Sequence, residues 1–529
     1  MTRTEMLRTP LMTPAVLVTI FVAALPAQTY PVFEKRFEAI RGRPEYRHAR
    51  FGAEFYSIED EKVLYSWNPQ ELFVPGSTTK ILSVGTALEL LGPDFRFHTK
   101  IYRTGPVKRG ALEGDLVLVA SGDPDLSNRI QPDGTMVFEN EDHSYGGKAV
   151  PGDPLAVIRE LAGWVAAGGI RRVSGRVIVD VSRFPEGEKE LGTGVVISPI
   201  VVNDNVVDVV VTPGGREGDA ATLAISPTTR YVTIANEVKT GPSGGEAELQ
   251  WTNDKANADG THAVSLSGSV PAGGPPQPRV YKTPVPSRFA EVVLTEALES
   301  AGVRVGASNG SAPVSSQTYY TDEYEVAEHV SPPLREEAKI TLKVSQNLHA
   351  SMMPYIVGAY LKKGLDPLQA GFDLERAMLD KADLDVTGAV QNDGAGGAAL
   401  FAPDFMVRFL LYLHKQPFFP AFRKALPILG VDGTLFDIER DSPAAGHVFA
   451  KTGTYASGNA LAPKGGVIDG KGLAGFIETK DGRHLAFAVY INFVPLATMD
   501  ASSMKVVGTA VAEIAAAAYD GFAADAVGR

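Results

Sequence analysis

Val74-Pro75-Gly76-Ser77-Thr78-Thr79-Lys80-Ile81-Leu82-Ser83 leads into a run of helix formers that ends at Leu91, just before Gly92-Pro93. Apolar residues at 81, 82, 84, 88 and 91 keep helical periodicity and Gly-Pro terminates it, so a buried helix opening at Ser77 is expected. Lys80 stands one turn further along the same face, where its amine can reach the Ser77 hydroxyl. A serine at a helix N-terminus also sits at the positive end of the helix dipole, which favours an alkoxide or a neighbouring oxyanion. A nucleophile beside its own base is one reading of the stretch. A helix N-cap followed by a solvated lysine is the other. Ser-x-x-Lys recurs at Ser502–Lys505, so the tetrapeptide alone does not decide.

The chain has 529 residues, 44% of them hydrophobic, enough for two to four domains with real cores. A formal charge of -12 argues against nucleic acid as a partner and leaves no polybasic membrane patch. Arg3 and Arg8, an apolar stretch from Pro10 to Leu25 and the small residue Ala27 form a secretory leader, residues 1–27, with a retained anchor as the alternative. No later segment is long and apolar enough to span a membrane, so a periplasmic or otherwise extracytoplasmic protein without a stable span is expected. The absence of cysteine excludes disulfides, thiol catalysis and Cys-ligated zinc.

Alternation of apolar and polar residues from Phe51 to Pro69 around the charged turn Glu59–Lys62 predicts a hairpin ahead of the Ser77 helix. Short strand patterns follow at 97–102, 115–120 and 176–181, with a helix over 154–168. Asp123-Pro-Asp125 reads as a turn or, with its two carboxylates, as a cation site. Residues 201–280 carry β runs at 205–212, 230–236 and 263–270, with the Gly-Gly-Pro-Pro-Gln-Pro stretch at 273–278 as the expected edge of that module. Helix returns over 287–302 and dominates 334–414. A strand at 448–453, a pair at 473–478 and 484–493 around Lys480-Asp481-Gly482, and a terminal helix over 502–519 complete the chain.

Hairpin, helices, antiparallel strands and terminal helix together predict an α+β fold, an antiparallel sheet flanked by helices. That core takes residues 28–100 and 335–529. Residues 101–334 form an inserted accessory region of one or two smaller, mainly β domains, divided into about 101–200, α/β, and about 201–334, mainly β.

Serine and lysine suit acyl transfer, the serine becoming acylated while a neutral lysine takes its proton. The lysine pKa must then fall from about 10.4 to near 7, roughly 4 kcal/mol of bias, which burial and a second cation such as Lys451 would both supply. Ser-x-x-Lys, Ser-x-Asn and Lys-Thr-Gly in that order form an active-site set of penicillin-recognising serine enzymes. Ser66–Asn68, Ser457–Asn459 and Lys239–Gly241 are decoys. Only Ser77/Lys80, Ser345/Asn347 and Lys451/Thr452/Gly453 fall in order on a helix start, an interhelical turn and a sheet strand.

On these residues the chain resembles the D-alanyl-D-alanine carboxypeptidase/endopeptidase family of low-molecular-mass, class C penicillin-binding proteins, serine peptidase family S13. Matching stretches run from Phe95-Arg-Phe-His-Thr99 and Gly114–Leu126 through Asn203-Asp-Asn205 and Asn392–Gly397 to Val431–Leu435 and Ala450–Thr454. The resemblance implies the transpeptidase-like fold of penicillin-binding proteins and β-lactamases. It implies a serine-type D-Ala-D-Ala carboxypeptidase, with endopeptidase activity as a second expectation, acting on peptidoglycan stem peptides and acylated by β-lactams. Ser77 would be the nucleophile, Lys80 its base and Ser345 the proton relay. Asn347 would hold the substrate amide, and Lys451, Thr452 and Gly453 would receive its C-terminus. The N–H groups of Ser77 and Thr454 would form the oxyanion hole. No metal or other cofactor is implied.

Three departures from the family pattern stand out. Gln346 replaces the usual Asp, Ser351 stands where Glu commonly follows, and Asp393-Gly-Ala-Gly-Gly-Ala replaces Asp-Gly-Ser-Gly-Leu-Ser. They motivate the alternative of an inactive muropeptide-binding pseudo-enzyme. A β-lactamase shares the Ser-Lys core but needs fast deacylation. Gly-x-Ser-x-Gly at 241–245 and 306–310 would suit an α/β-hydrolase only on a strand-turn-helix, and neither sits on one. The nine histidines show no metal-binding spacing, with His349 and His447 read as packed or surface residues, and the glycines at 394–397 lack the βαβ unit of a dinucleotide loop.

Overall fold

A computed structural model of the chain describes residues 29–306, 316–362, 364 and 366–523. The leader at 1–27 and Ser308 of the second Gly-x-Ser-x-Gly match lie outside the described residues. The centre is one antiparallel sheet. Strands β1 (Arg50–Ser57) and β2 (Lys62–Trp67) form the expected hairpin. They are joined by β3 (Val448–Gly458), β4 (Gly466–Glu478), β5 (His484–Asn492) and the short β6 (Val494–Leu496), in the order β3-β4-β5-β1-β2 with β6 against β4.

The period of two along β5 sets the layers. Leu485, Phe487, Val489 and Ile491 join a core with helices α1 (Pro31–Arg41) and α6 (Ala501–Gly521) on one face. Phe33 packs on Phe55 at 5.0 Å and on Phe522 at 4.4 Å between ring centres, tying the two ends of the chain together. Ala486, Ala488 and Tyr490 face the opposite core, filled by α2 (Lys80–Leu90), α3 (Leu334–Lys343), α4 (Asn347–Leu361) and α5 (Pro403–His414). α4 is apolar on all sides and is buried from Asn347 to Gly358, as such a helix must be. The fold is α+β, an antiparallel sheet between helical layers.

β3 and β4 run well past the stretches expected from sequence, because Ser457, Asp469, Gly470 and Gly472 interrupt the apolar alternation while the backbone pairing continues. Residues 98–330 form four smaller sheets. In one, His98–Arg103, Leu116–Val119, Val177–Asp180 and Glu325–Val330 pair beneath helices Ala156–Ala167 and Pro286–Ser300. The stretch 273–278 does not end the β module, contrary to the sequence reading. Gln277–Lys282 is itself a strand that returns to pair with Val206–Val211. Decoy residues fall apart in space. Ser243 and Lys239 are exposed, Gly241 ends a strand with no helix after it, and Lys505 pairs with Asp437 on the surface.

Candidate active site

The chain turns sharply between β2 and α2. Thr78 Oγ1 donates to Pro75 O at 3.0 Å and Thr79 Oγ1 to Gly76 O at 2.9 Å, and these i−3 bonds favour a 3₁₀ turn over Gly76–Thr79. The α-helix proper therefore starts at Lys80, and Ser77 stands in the turn ahead of it rather than at an α-helical N-cap. Gly76 has φ +52°, and a Cβ there would lie 2.5 Å from Thr454 N. A Cβ at Gly453 would lie 2.0 Å from Pro75 O. β3 thus packs backbone to backbone on the turn, which brings the Thr454 amide beside Ser77. Gly453→Ala is expected to push β3 off the turn and slow D-Ala release by about 10²-fold, the effect of an ångström-scale misplacement, at unchanged circular dichroism.

Ser345 occupies the turn between α3 and α4 with φ +63°. Gln346 caps α4, its Oε1 accepting from Leu348 N at 2.7 Å, so an amide performs the capping that an Asp would. Lys80 Nζ donates to Ser77 Oγ at 3.1 Å, to Ser345 Oγ at 3.0 Å and to Asn347 Oδ1. Lys451 Nζ reaches the same Ser345 Oγ at 2.8 Å and Thr452 O at 2.8 Å. Ser345 Oγ thus lies between two ammonium-bearing side chains that are themselves fully buried. All the residues singled out from sequence, Ser77, Lys80, Ser345, Asn347, Lys451, Thr452, Gly453 and Thr454, meet in this one cleft.

Burial lowers the Lys80 pKa to about 7, against the pull of Asp142, Glu190 and Asp393. Lys451 is held well below its ordinary value, first by burial, then by repulsion from Lys80 and Lys471. Of the two expected causes, burial is the one that depresses Lys80.

Two further neighbours, Tyr145 and Lys471, carry no sequence signal, whereas Thr434 lies in the Val431–Leu435 stretch. Tyr145 Oη accepts from Asn347 Nδ2, Thr434 Oγ1 lies 2.8 Å from Thr452 Oγ1, and Lys471 Nζ donates to Thr454 Oγ1 at 2.6 Å. Ser351, also expected near the cleft, is buried in α4. Behind α4 lies a buried ionic hub. Asp204 accepts from Arg129 at 2.7 Å, His143 at 2.6 Å and His349 at 2.9 Å. The other ring nitrogen of each histidine meets a further carboxylate, Asp208 for His143 and Glu337 for His349, both at 2.8 Å. His349 is therefore a packed ion-pair residue, not a cleft group. Asp142, His143 and Asp204 are close enough to ligate an ion, but both ring nitrogens of His143 are engaged and the Arg129 guanidinium already occupies Asp204. Asp123-Pro-Asp125 forms a turn, Asp125 N donating to Asp123 Oδ1 at 3.1 Å.

The chain is 28% identical to a D-alanyl-D-alanine carboxypeptidase of Actinomadura sp. over 88% of this chain and 83% of that protein. It is 22% identical to D-alanyl-D-alanine carboxypeptidase DacB of Haemophilus influenzae, over 82% and 84%. The crystal structure of penicillin binding protein 4 (dacB) from H. influenzae superposes with a TM-score of 0.68 at 19% identity, covering 90% of this chain and 97% of that one. The same H. influenzae protein has been seen complexed with a β-lactam, at a TM-score of 0.65 and 18% identity over 93% of this chain and 99% of that one. A family model matches residues 34–517, nearly the whole described chain, and by that match the protein belongs to the D-Ala-D-Ala carboxypeptidase 3 (S13) family of serine peptidases.

Proposed function

We propose that this D-Ala-D-Ala carboxypeptidase works through an acyl-enzyme on Ser77 and also cuts D-Ala cross-links as an endopeptidase. The observation that carries the reading is the Ser345 hydroxyl held between Lys80 and Lys451 while Lys80 also reaches Ser77 Oγ. Ser77 Oγ attacks the carbonyl of the penultimate D-Ala and neutral Lys80 takes its proton. The oxyanion forms between the N–H groups of Ser77 and Thr454, where one donor is typically worth about 10²–10³ in rate. Asn347 holds the substrate amide, and Lys451, Thr452 and Gly453 receive the terminal carboxylate. That carboxylate favours the charged form of Lys451, while Lys80, its pKa lowered by burial to about 7, acts as base. Ser345 passes the proton to the departing D-Ala amine, and water then releases the acyl group. A β-lactam acylates Ser77 by the same steps and stays. The substrate lies outside the cytoplasm, as a cell-wall peptidase requires, and among the described residues no helix is long and apolar enough to cross a membrane. Residues 101–334 act as an accessory region that lends Asp142, Tyr145 and the 190–194 loop to the cleft.

Intact-mass analysis after incubation with benzylpenicillin, followed by peptide mapping, tests the assignment. A stoichiometric adduct on the peptide containing Ser77 is expected. A folded protein without it would favour muropeptide binding without turnover. The acylation rate should rise with pH through about 7 and level off above, because Lys80 accepts a proton only when neutral. A rate that does not vary from pH 5 to 9 would remove Lys80 as the base.

A further inference from the structure

At the sheet edge opposite β3, a cavity of about 550 Å³ opens between the β1–β2 hairpin, α5 and residues 382–384. Glu54 lines it from β1. The period of two that turns Phe51, Ala53 and Phe55 into the core with α1 and α6 turns Glu54 and Tyr56 the other way, towards α5. Glu54 is only 4% exposed. Asp404 of α5 stands beside it, and both Asp404 oxygens are already engaged, Oδ1 by Arg408 Nε at 2.7 Å and Oδ2 by Gln70 Nε2 at 3.0 Å. Glu54 receives no such donor among the described residues, and the side chain nearest its oxygens is that same carboxylate. Burial first, then repulsion from Asp404, pushes the Glu54 carboxyl up to about 7, against a weaker pull from Arg408. A buried acceptor without a donor is a cost that proteins rarely carry without a use.

The rest of the cavity selects what would meet it. Val63, Leu384, Val407 and Leu411 form an aliphatic wall. Asp383 and Lys415 add one exposed charge of each sign. With Glu54 ionised, three carboxylates face two cations, and the lining carries one net negative charge. One ammonium balances it and brings three donors, while an alkyl chain behind the ammonium covers the wall. A divalent cation would need more oxygens than the two that Glu54 has free, and would leave the wall wet.

We propose that this cavity is a second binding site, independent of the Ser77 chemistry, which takes a primary alkylammonium group such as the end of a lysine-type side chain, with Glu54 as its counter-ion. The other titratable groups facing Glu54 are Tyr56 from β1, Asp383 from the turn at 382–384, and Asp404, Arg408, Tyr412 and Lys415 from α5 and the residue after it. Glu54 holds an ammonium only when ionised, so apparent affinity follows its ionised fraction and should fall about 30-fold from pH 8 to pH 5.5.

The test is calorimetric titration of n-butylammonium and n-hexylammonium chloride onto the full chain at both pH values, with n-hexanol as the uncharged control. Saturable binding of one ammonium per chain is expected at pH 8, tighter by about two- to fourfold for each added methylene, and none for n-hexanol. Glu54→Gln keeps the shape of the side chain and should weaken binding at least about tenfold, with native secondary structure by circular dichroism. No saturable binding at pH 8 would overturn the site and leave Glu54 an acid that shares its proton with Asp404. Equal affinity in Glu54→Gln overturns it too, as does equal affinity of the native chain at the two pH values, a comparison that needs no variant. None of these readouts involves D-Ala release, so their failure leaves the assignment of Ser77 untouched.

Discussion

Replacing Ser77 by alanine, or Lys80 by methionine, is expected to lower D-Ala release from a pentapeptide by about 10⁴-fold or more, and the double variant should lose no more than either single one. The two groups act as one unit. Without the hydroxyl nothing is acylated, and without the amine the hydroxyl keeps its proton. Lys80 Nζ also donates to Ser345 and Asn347, so its removal unties the second and third parts of the site from the first. Methionine fills the buried volume, which keeps the loss chemical and not one of packing. The check is D-Ala release under saturating substrate together with the rate of β-lactam adduct formation. Single losses that add up in the double variant would mean that serine and lysine serve separate steps.

Asp204→Asn is expected to cost about 3–5 kcal/mol of stability, the usual penalty for leaving buried charges without their partner. Asp204 sits at φ +52°, a conformation asparagine also accepts, so the substitution removes charge while sparing the backbone. Three cationic side chains converge on it, and none has access to water. Burial alone would lower the His143 pKa, but the Asp204 and Asp208 carboxylates raise it to about 10. A pKa raised in the folded state stabilises fully below about 6.5, the unfolded value, and that contribution is lost as pH rises through about 10. Urea denaturation at pH 7 and pH 10.5 should therefore show a larger deficit for Asp204→Asn at the lower pH. An equal deficit at both would locate the cost in geometry instead of charge.

The core strands, the helix after Ser77 and the three motifs were legible because each rests on local rules, alternation in the strands, helical periodicity in the helix and the ordered spacing of Ser, Lys and Asn in the motifs. β4 hid half its length because glycines at 470 and 472 allow it to pass close to Val74 and Pro75, and a strand built for close approach has few side chains to show. Tyr145 and the 190–194 loop left no trace because they lie far from Asn347 in sequence and only tertiary folding brings them to it. The Asp204 hub was invisible for the same reason, its three cationic partners Arg129, His143 and His349 coming from separate parts of the chain. His349 lacked a metal-binding spacing and was read as packed, but nothing local could name Asp204 as its partner.

Strand β1 pairs along its whole length with β5, so Arg50 meets Asn492 and Ser57 meets Leu485. The first hairpin has no second strand to pair with on the β1 side until residues 484–492 have been synthesised. Until β3 arrives there is no Lys451 beside Ser345 and no Thr454 amide beside Ser77. A nascent chain therefore carries an incomplete and inert cleft until its last strands emerge. Any truncation before β5 removes catalysis and the central sheet together. Pairing over so long a separation in sequence also makes assembly slow compared with a helical protein of this size. The cluster around Ser345 is therefore complete only once residues 448–492 have been made, as a consequence of strand order alone.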